Sequence, residues 1–221
     1  MELDRKTFDW AEQTRFARLS GDGNPLHLDA VAARRTQMGA PVVHGINAVL
    51  WALEAAFRRE EFSPVSLNVN FLAPIYVGET AIAALERRSD SQLRININVA
   101  GALTTVVTLG LGTVRKPASP VNDCRAQAGE WPNLPIELDI EEMKTQAGAM
   151  AFARPLETVT EVFPALCAAI SSKRVATMVA LSRLVGMVCP GLHSILKSYL
   201  LDFTEVDGDD VLRYAALEVC R

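Results

Sequence analysis

The sequence predicts an α+β fold in which an antiparallel sheet wraps one long central helix. Three observations carry this expectation. In residues 42–57, VVHGINAVLWALEAAF, the residues Ile46, Val49, Leu50, Leu53 and Phe57 recur at helical spacing. Ala48, Trp51, Ala52, Ala55 and Ala56 fill most of the other faces, and a helix apolar nearly all round has to be covered on most sides. Strand-like segments with a period of two follow it, separated by turn residues. A proline-rich stretch then intervenes, and the pattern starts again.

Taken in order, 9–19 (DWAEQTRFARL) reads as a short helix that enters a polar stretch, and 30–40 as a second short helix closed by Gly39. The long helix stops at the charged run Arg58–Glu61. SLNVNFL (66–72) sets Leu67, Val69 and Phe71 against Ser66, Asn68 and Asn70. Weaker alternation marks 79–86, and clear alternation marks 92–100 and 104–114. A curved meander of this kind buries a central helix, which is the hot-dog arrangement.

Residues 115–135 hold four prolines and no periodicity and read as a linker. Beyond it, 156–171 looks helical with a break near Pro164, and 211–219 looks like a strand. VCPGLHSIL (188–196) resembles VVHGINAVL (42–50), each passing through a glycine, Gly191 or Gly45, into an apolar helix start. LLDF (200–203) likewise matches NVNF (68–71). We therefore expect a double hot-dog: a catalytic unit over 1–116, a linker over 117–135, and a degenerate, incomplete second unit over 136–221. His193 falls opposite Asn47 and is expected to be a buried histidine at a helix start. With Arg221 in or just after an apolar strand, we also expect a piece of a larger polypeptide.

Composition narrows the function classes. Of 221 residues, 49% are hydrophobic and 22% charged, as in ordinary globular chains. A net charge of −4 with mixed signs offers no basic patch for nucleic acid. The charged N-terminus MELDRKTFDW lacks the apolar run of an export signal, and Arg183 interrupts the most apolar long window. Cys124, Cys167, Cys189 and Cys220 show no paired spacing, which fits a reduced, cytoplasmic protein with no membrane partner.

The chemistry concentrates in residues 20–29, SGDGNPLHLD. Two glycines and a proline rule out regular structure there. Yet the stretch carries Asp22, Asn24, Asp29 and His27, one of three histidines in the chain. Asp22 and His27 across a Pro-containing turn suit an acid–base pair flanking one water. A polar loop in which Asp22 caps the turn is the plain alternative. His27, Asp29 and His44 lack the spacing of a metal site, so no metal is assigned, and Asp29 suits a helix N-cap. Met143, Met150, Met178 and Met187 read as core filler.

The string Gly-Asp-x-Asn-Pro-x-His-x-Asp, followed by PVVHGI (41–46) and NFLAPIYVGE (70–79), closely resembles the hydratase motif of the MaoC-like, (R)-specific enoyl-CoA hydratase family of hot-dog proteins. The likeness spans residues 8–115, and the second half resembles the non-catalytic half of double hot-dog members. It implies reversible hydration of trans-2-enoyl thioesters to (R)-3-hydroxyacyl thioesters without a cofactor. It also implies catalytic roles for Asp22 and His27, with Asn24 orienting the water or the loop. The backbone N–H of Gly45, at a helix N-terminus, is implied as donor to the thioester oxygen. Two departures stand out. Many members carry a bulky, often aromatic residue where this chain has Gly23, and a proline where it has Ala30.

His44 and Gly23 are expected to line the pocket. The expected partner is an acyl-CoA or acyl-carrier-protein thioester, with a homodimer as a candidate assembly. Two other functions stay open: a hot-dog acyl thioesterase, and a non-catalytic acyl-thioester-binding module of a larger protein.

Overall fold

A computed structural model describes residues 1–113, 129–152, 154–203 and 211–215. The first half runs β1 (Glu2–Thr7), α1 (Trp10–Ser20), α2 (Pro25–Leu28), α3 (Ala30–Ala33) and α4 (Gly45–Phe57). Four strands follow: β2 (Pro64–Phe71), β3 (Thr80–Ser89), β4 (Gln92–Val99) and β5 (Ala102–Leu111). The second half contributes α5 (Ile140–Lys144), β6 (Ala147–Ala151), α6 (Leu156–Val162), α7 (Pro164–Ile170) and α8 (Ser172–Arg183). A π-helical turn over Leu184–Val188, β7 (Ser198–Asp202) and β8 (Val211–Ala215) complete it.

The expected wrapping is present. The main sheet has six strands in the order β1-β3-β4-β5-β2-β7. Its inward residues Leu67, Val69, Leu93, Ile95, Ile97, Val107 and Leu109 are buried, and so is every residue of α4 from Ile46 to Phe57. The alternation places one face of each strand on the helix. Gly101, with φ +83, takes the positive-φ place in the tight turn that reverses β4 into β5.

Charge hides one element from the sequence pattern. In β1 only Leu3 is buried among charged neighbours, yet the strand pairs with β3 from Thr7↔Thr80 to Glu2↔Ala84. The run 30–40 is a helix only over Ala30–Ala33, because turns replace it from Arg34.

The second half joins the first through β7. Asn68 pairs with Leu200, the first residues of NVNF and LLDF, so each motif strand lies antiparallel to its counterpart across a local two-fold. β6 pairs with β8 as β1 pairs with β3. Among the described residues no strands match β4 and β5 in the second half. The stretch 114–128, most of the expected linker, lies outside the described residues. So do 216–219 of the expected last strand, Cys124 and Cys220. Cys167 and Cys189 are free thiols.

The alignment of Gly191 with Gly45 does not hold. The second-half helix ends in the π-helical turn, so Gly191 follows a helix instead of opening one. Its φ of +83 and its N–H bond to the Val185 carbonyl (3.0 Å) make it a turn residue. His193 is accordingly not a buried helix-start residue: its side chain is 70% exposed and faces Glu137 at 3.3 Å.

The halves share one core. Leu166, Cys167, Ile170, Val175, Met178 and Val179 pack in the same cluster as α4. Glu54, buried on α4, accepts hydrogen bonds from the amides of Ala165 (3.2 Å) and Leu166 (2.8 Å) at the start of α7. Among the described residues no single helix is long and apolar enough to cross a membrane.

Candidate active site

Local hydrogen bonds shape the loop after α1. The helix ends at Gly21 in the left-handed region (φ +74), where a Cβ would lie 2.7 Å from the Arg183 guanidinium. Ser20 Oγ then accepts from the Asp22 amide (3.1 Å), and Asp22 Oδ1 from the Asn24 amide (3.2 Å). Asn24 Oδ1 accepts from the Leu26 amide (2.9 Å) and so caps α2, with Pro25 in its first turn. Asp29 caps α3 through the amides of Val31 and Ala32, and these bonds lower its pKa. Four short polar side chains thus shape the loop, and regular structure is not wholly excluded from it as expected, since Pro25 opens the one-turn helix α2.

This loop meets the head of α4. A carboxylate oxygen of Asp22 and ring nitrogens of His27 and His44 lie within 4.8 Å of one another. A single water within hydrogen-bond reach of two such atoms fits that separation. The His27 Nδ1 lies 2.8 Å from the Val42 carbonyl; since a carbonyl only accepts, Nδ1 carries the proton and Nε2 is left basic. Gln13, fully buried on α1, donates to the carbonyls of His27 (3.1 Å) and Val42 (2.9 Å) and joins the two segments.

The His44 ring stacks on that of His27, with centroids 3.9 Å apart at 27°. By distance alone the same three groups, Asp22, His27 and His44, could also hold a metal ion. His44 Nε2 donates to the Asp22 carbonyl at 3.3 Å. Complete burial, and secondarily the neighbouring His27, hold its pKa well below the ordinary 6.5, against the opposing pull of that hydrogen bond.

This shift has a consequence for stability. The folded protein resists a proton that the unfolded chain accepts below about pH 6.5. Stability contributed by neutral His44 is therefore complete above that pH and is lost as pH falls toward the folded value. The loss approaches about 1.4 kcal/mol per pH unit. We expect His44→Gln to flatten this part of the profile, measured as urea midpoints on either side of pH 6.5 and compared with the parent protein.

The second half closes the site, which the loop sequence does not reveal. Ser182 Oγ donates to Asp22 Oδ2 at 2.7 Å. Asn24 Nδ2 donates to the carbonyls of Gly186 (2.9 Å) and Leu192 (3.2 Å), so both ends of its amide bind protein groups and hold the loop. The Gly23 amide points at Met187 Sδ (3.2 Å), and a Cβ at Gly23 would meet the Met187 methyl at 3.8 Å. Gly23 itself is exposed, and Met187, expected as plain core filler, packs against its backbone.

These groups line a cavity of about 160 Å³ built from both halves. Asp22, His27 and Gly45 meet apolar walls from Val43, Ile46 and Phe71, and the second half adds Val185, Ile195 and Leu196. His44 lies behind His27 and is not among the lining residues. Neither is Gly23. No side chain caps the N-terminus of α4, and the Gly45 amide has no acceptor among the described residues. A Cβ there would lie 2.8 Å from the Phe71 ring, so glycine lets that ring pack directly against the head of the helix. The site thus sets a carboxylate and an imidazole beside an unclaimed donor at the positive end of a helix.

Residues 2–108 match a family described as MaoC like domain. The chain is 32% identical over 110 residues to the (R)-specific enoyl-CoA hydratase of Aeromonas caviae, covering 48% of this chain and 78% of that protein. It is 28% identical over 89 residues to a 3-hydroxybutyryl-CoA dehydratase of Methylorubrum extorquens, covering 38% of this chain and 56% of that protein. A solved structure of a MaoC-like dehydratase superposes across both halves, with a TM-score of 0.55 and 12% identity, covering 91% of this chain and 80% of the other.

Proposed function

Because the chain belongs to the MaoC-like family of hydro-lyases, we propose that it reversibly hydrates a trans-2-enoyl-CoA thioester to the (R)-3-hydroxyacyl thioester, with Asp22 and His27 as its acid–base pair. One observation carries this reading: a carboxylate, a basic imidazole nitrogen and an unclaimed helix-terminal amide line the same apolar cavity.

In the forward direction, Asp22 and His27 hold one water between them. As its oxygen bonds to C3, the pair takes up a proton, and electrons of the C2–C3 double bond move toward the thioester carbonyl. The Gly45 amide donates to the oxygen on which negative charge builds; one such donor supports about 10²–10³-fold in rate. The pair then delivers a proton to C2, so that one water is consumed for each double bond. Asp22 and His27 act jointly, since both lie within reach of one water. Ser182 holds the carboxylate from the cavity wall, and Asn24 holds the loop.

A spectrophotometric assay with crotonyl-CoA and longer enoyl-CoA substrates tests the proposal. We expect enoyl absorbance to fall without release of free thiol. Free thiol would instead identify a thioesterase, and thioester binding without either change would identify a binding module.

A further inference from the structure

The inward face of β5 carries Thr105, Val107 and Leu109, all buried. A strand face against a helix calls for apolar residues, and Thr105 breaks that pattern. Its cross-strand partners are Phe71 on β2 and Ile97 on β4, and neither side chain offers an acceptor. Thr105 is 1% exposed and lines the catalytic cavity, and its hydroxyl makes no hydrogen bond among the described residues.

The other hydroxyls of the lining are occupied. Ser182 donates to Asp22 (2.7 Å) and Ser194 to the Val185 carbonyl (2.9 Å). Thr104, the next residue along the strand, donates to the Ile97 carbonyl (3.0 Å). Some polar atoms elsewhere lack a partner but are sealed from any space, as at Asn47 Nδ2. The Thr105 oxygen is not among these sealed atoms, so the little surface that the residue keeps includes its hydroxyl and opens into the cavity. A buried hydroxyl placed in this way is unsatisfied until something in the cavity bonds to it.

The position of Thr105 separates it from the thioester oxygen. The far edge of the Phe71 ring meets the head of α4, where a Cβ at Gly45 would lie 2.8 Å from Cε1 and 3.0 Å from Cζ. Thr105 stands in register opposite the base of that same side chain. The Gly45 amide and the Thr105 hydroxyl are therefore two polar points with the Phe71 side chain between them. Exposure gives the direction. Leu72, Ala73, Pro74, Ile195 and Lys197 are the exposed lining residues and form the rim, through which the CoA arm would leave. Thr105, Ile46 and Ala48 are buried and form the closed side, which is left to the acyl chain.

Charge decides the kind of group that fits. Lys197, on the rim, is the one lysine or arginine of the lining. A carboxylate on the closed side would be a buried ion with no counter-charge, which is costly. A hydroxyl can both accept from and donate to Thr105. The geometry points to Thr105 as a specificity residue whose hydroxyl bonds a neutral oxygen, above all a hydroxyl, carried on the acyl chain beyond C3. This rests on reading the cavity as the thioester site, and it narrows the substrate class to enoyl thioesters with a hydroxylated chain.

Isothermal titration of the full chain with saturated acyl-CoAs tests this. Two pairs differ only in a terminal OH for CH3: 4-hydroxybutanoyl-CoA against pentanoyl-CoA, and 5-hydroxypentanoyl-CoA against hexanoyl-CoA. We expect the parent protein to favour the hydroxylated member of at least one pair. Thr105→Val should cut that preference about tenfold, the share of one hydrogen bond, and Thr105→Ser should retain it. Thr105→Ala, which also lacks the hydroxyl, takes the place of Thr105→Val if thermal melting shows that the latter does not fold. These thioesters have no double bond to hydrate, so their binding is read separately from the crotonyl-CoA assay. Four results would overturn the proposal: no saturable heat with any of the four thioesters; no preference for a hydroxylated member; a preference that survives loss of the hydroxyl, including equal weakening of both members, which would assign Thr105 to the CoA arm or the thioester they share; and tighter binding of glutaryl-CoA, whose chain ends in a carboxylate.

Discussion

Asp22→Asn and His27→Ala are each expected to lower kcat for enoyl-thioester hydration by about 10²–10⁴-fold, the usual contribution of a positioned acid or base. Asn at position 22 can keep both contacts, its oxygen accepting from the Asn24 amide, now 3.2 Å from Oδ1, and its NH2 donating to Ser182 Oγ, now 2.7 Å from Oδ2. The loop therefore has reason to stay in place while the charge and the proton site are lost. Ala at position 27 removes the ring that stacks on His44 but leaves the loop's backbone bonds, including His27 N–H to the Asn24 carbonyl. Steady-state kinetics on crotonyl-CoA, with circular dichroism as the folding control, measure both effects. A folded His27→Ala protein with full activity would falsify the mechanism.

The second large effect is expected from a residue with no side chain. At Gly186, in the π-helical turn of the second half, a Cβ would lie 2.4 Å from Asp22 Oδ1 and 2.8 Å from Oδ2. Something must shift, and the carboxylate is tied on the other side by Ser182. Moving the turn instead disturbs the Gly186 carbonyl that holds Asn24. Displacing a reacting group by about an ångström costs about 10²-fold in rate. Gly186→Ala should therefore lower kcat by about that factor, with a smaller change in KM. Val185→Ala, one residue away in the cavity wall, serves as the control for general damage to the turn. Equal kcat values for the two variants would show that contact with Asp22 is not what matters.

Both effects converge on residues 20–29, much of whose local geometry is written in the sequence. Asp22, Asn24 and Asp29 each bond an amide two residues ahead, so their spacing alone specifies the turns. The long helix and the strands at β2, β4 and β5 were equally legible, because burial on one or all faces imposes a period on the residues. β1 was not, since its single buried residue, Leu3, sits among charges that an edge strand tolerates. The glycine of VCPGLHSIL misled for a related reason: an apolar run beside a glycine fits the end of a helix as well as its beginning. His193 was misplaced with it.

Gly23 shows where local information stops. The backbone N–H of Gly23 meets Met187 Sδ from a segment 164 residues away, and a Cβ at position 23 would make only an ordinary contact with the Met187 methyl at 3.8 Å, so nothing in the structure requires glycine there. Contacts as distant in sequence join Ser182 to Asp22, 160 residues apart, and Gly186 to Asn24, 162 apart. The sequence by itself determined the wrapped helix, the strands that cover it and the turn that brings Asp22 near His27, because each depends on periodicity or on bonds across a few residues. Tertiary structure alone decided that the second half holds the carboxylate and lines the cavity. Those contacts join single residues from distant segments, and a solitary Ser, Gly or Asn carries no pattern until the chain has folded around it.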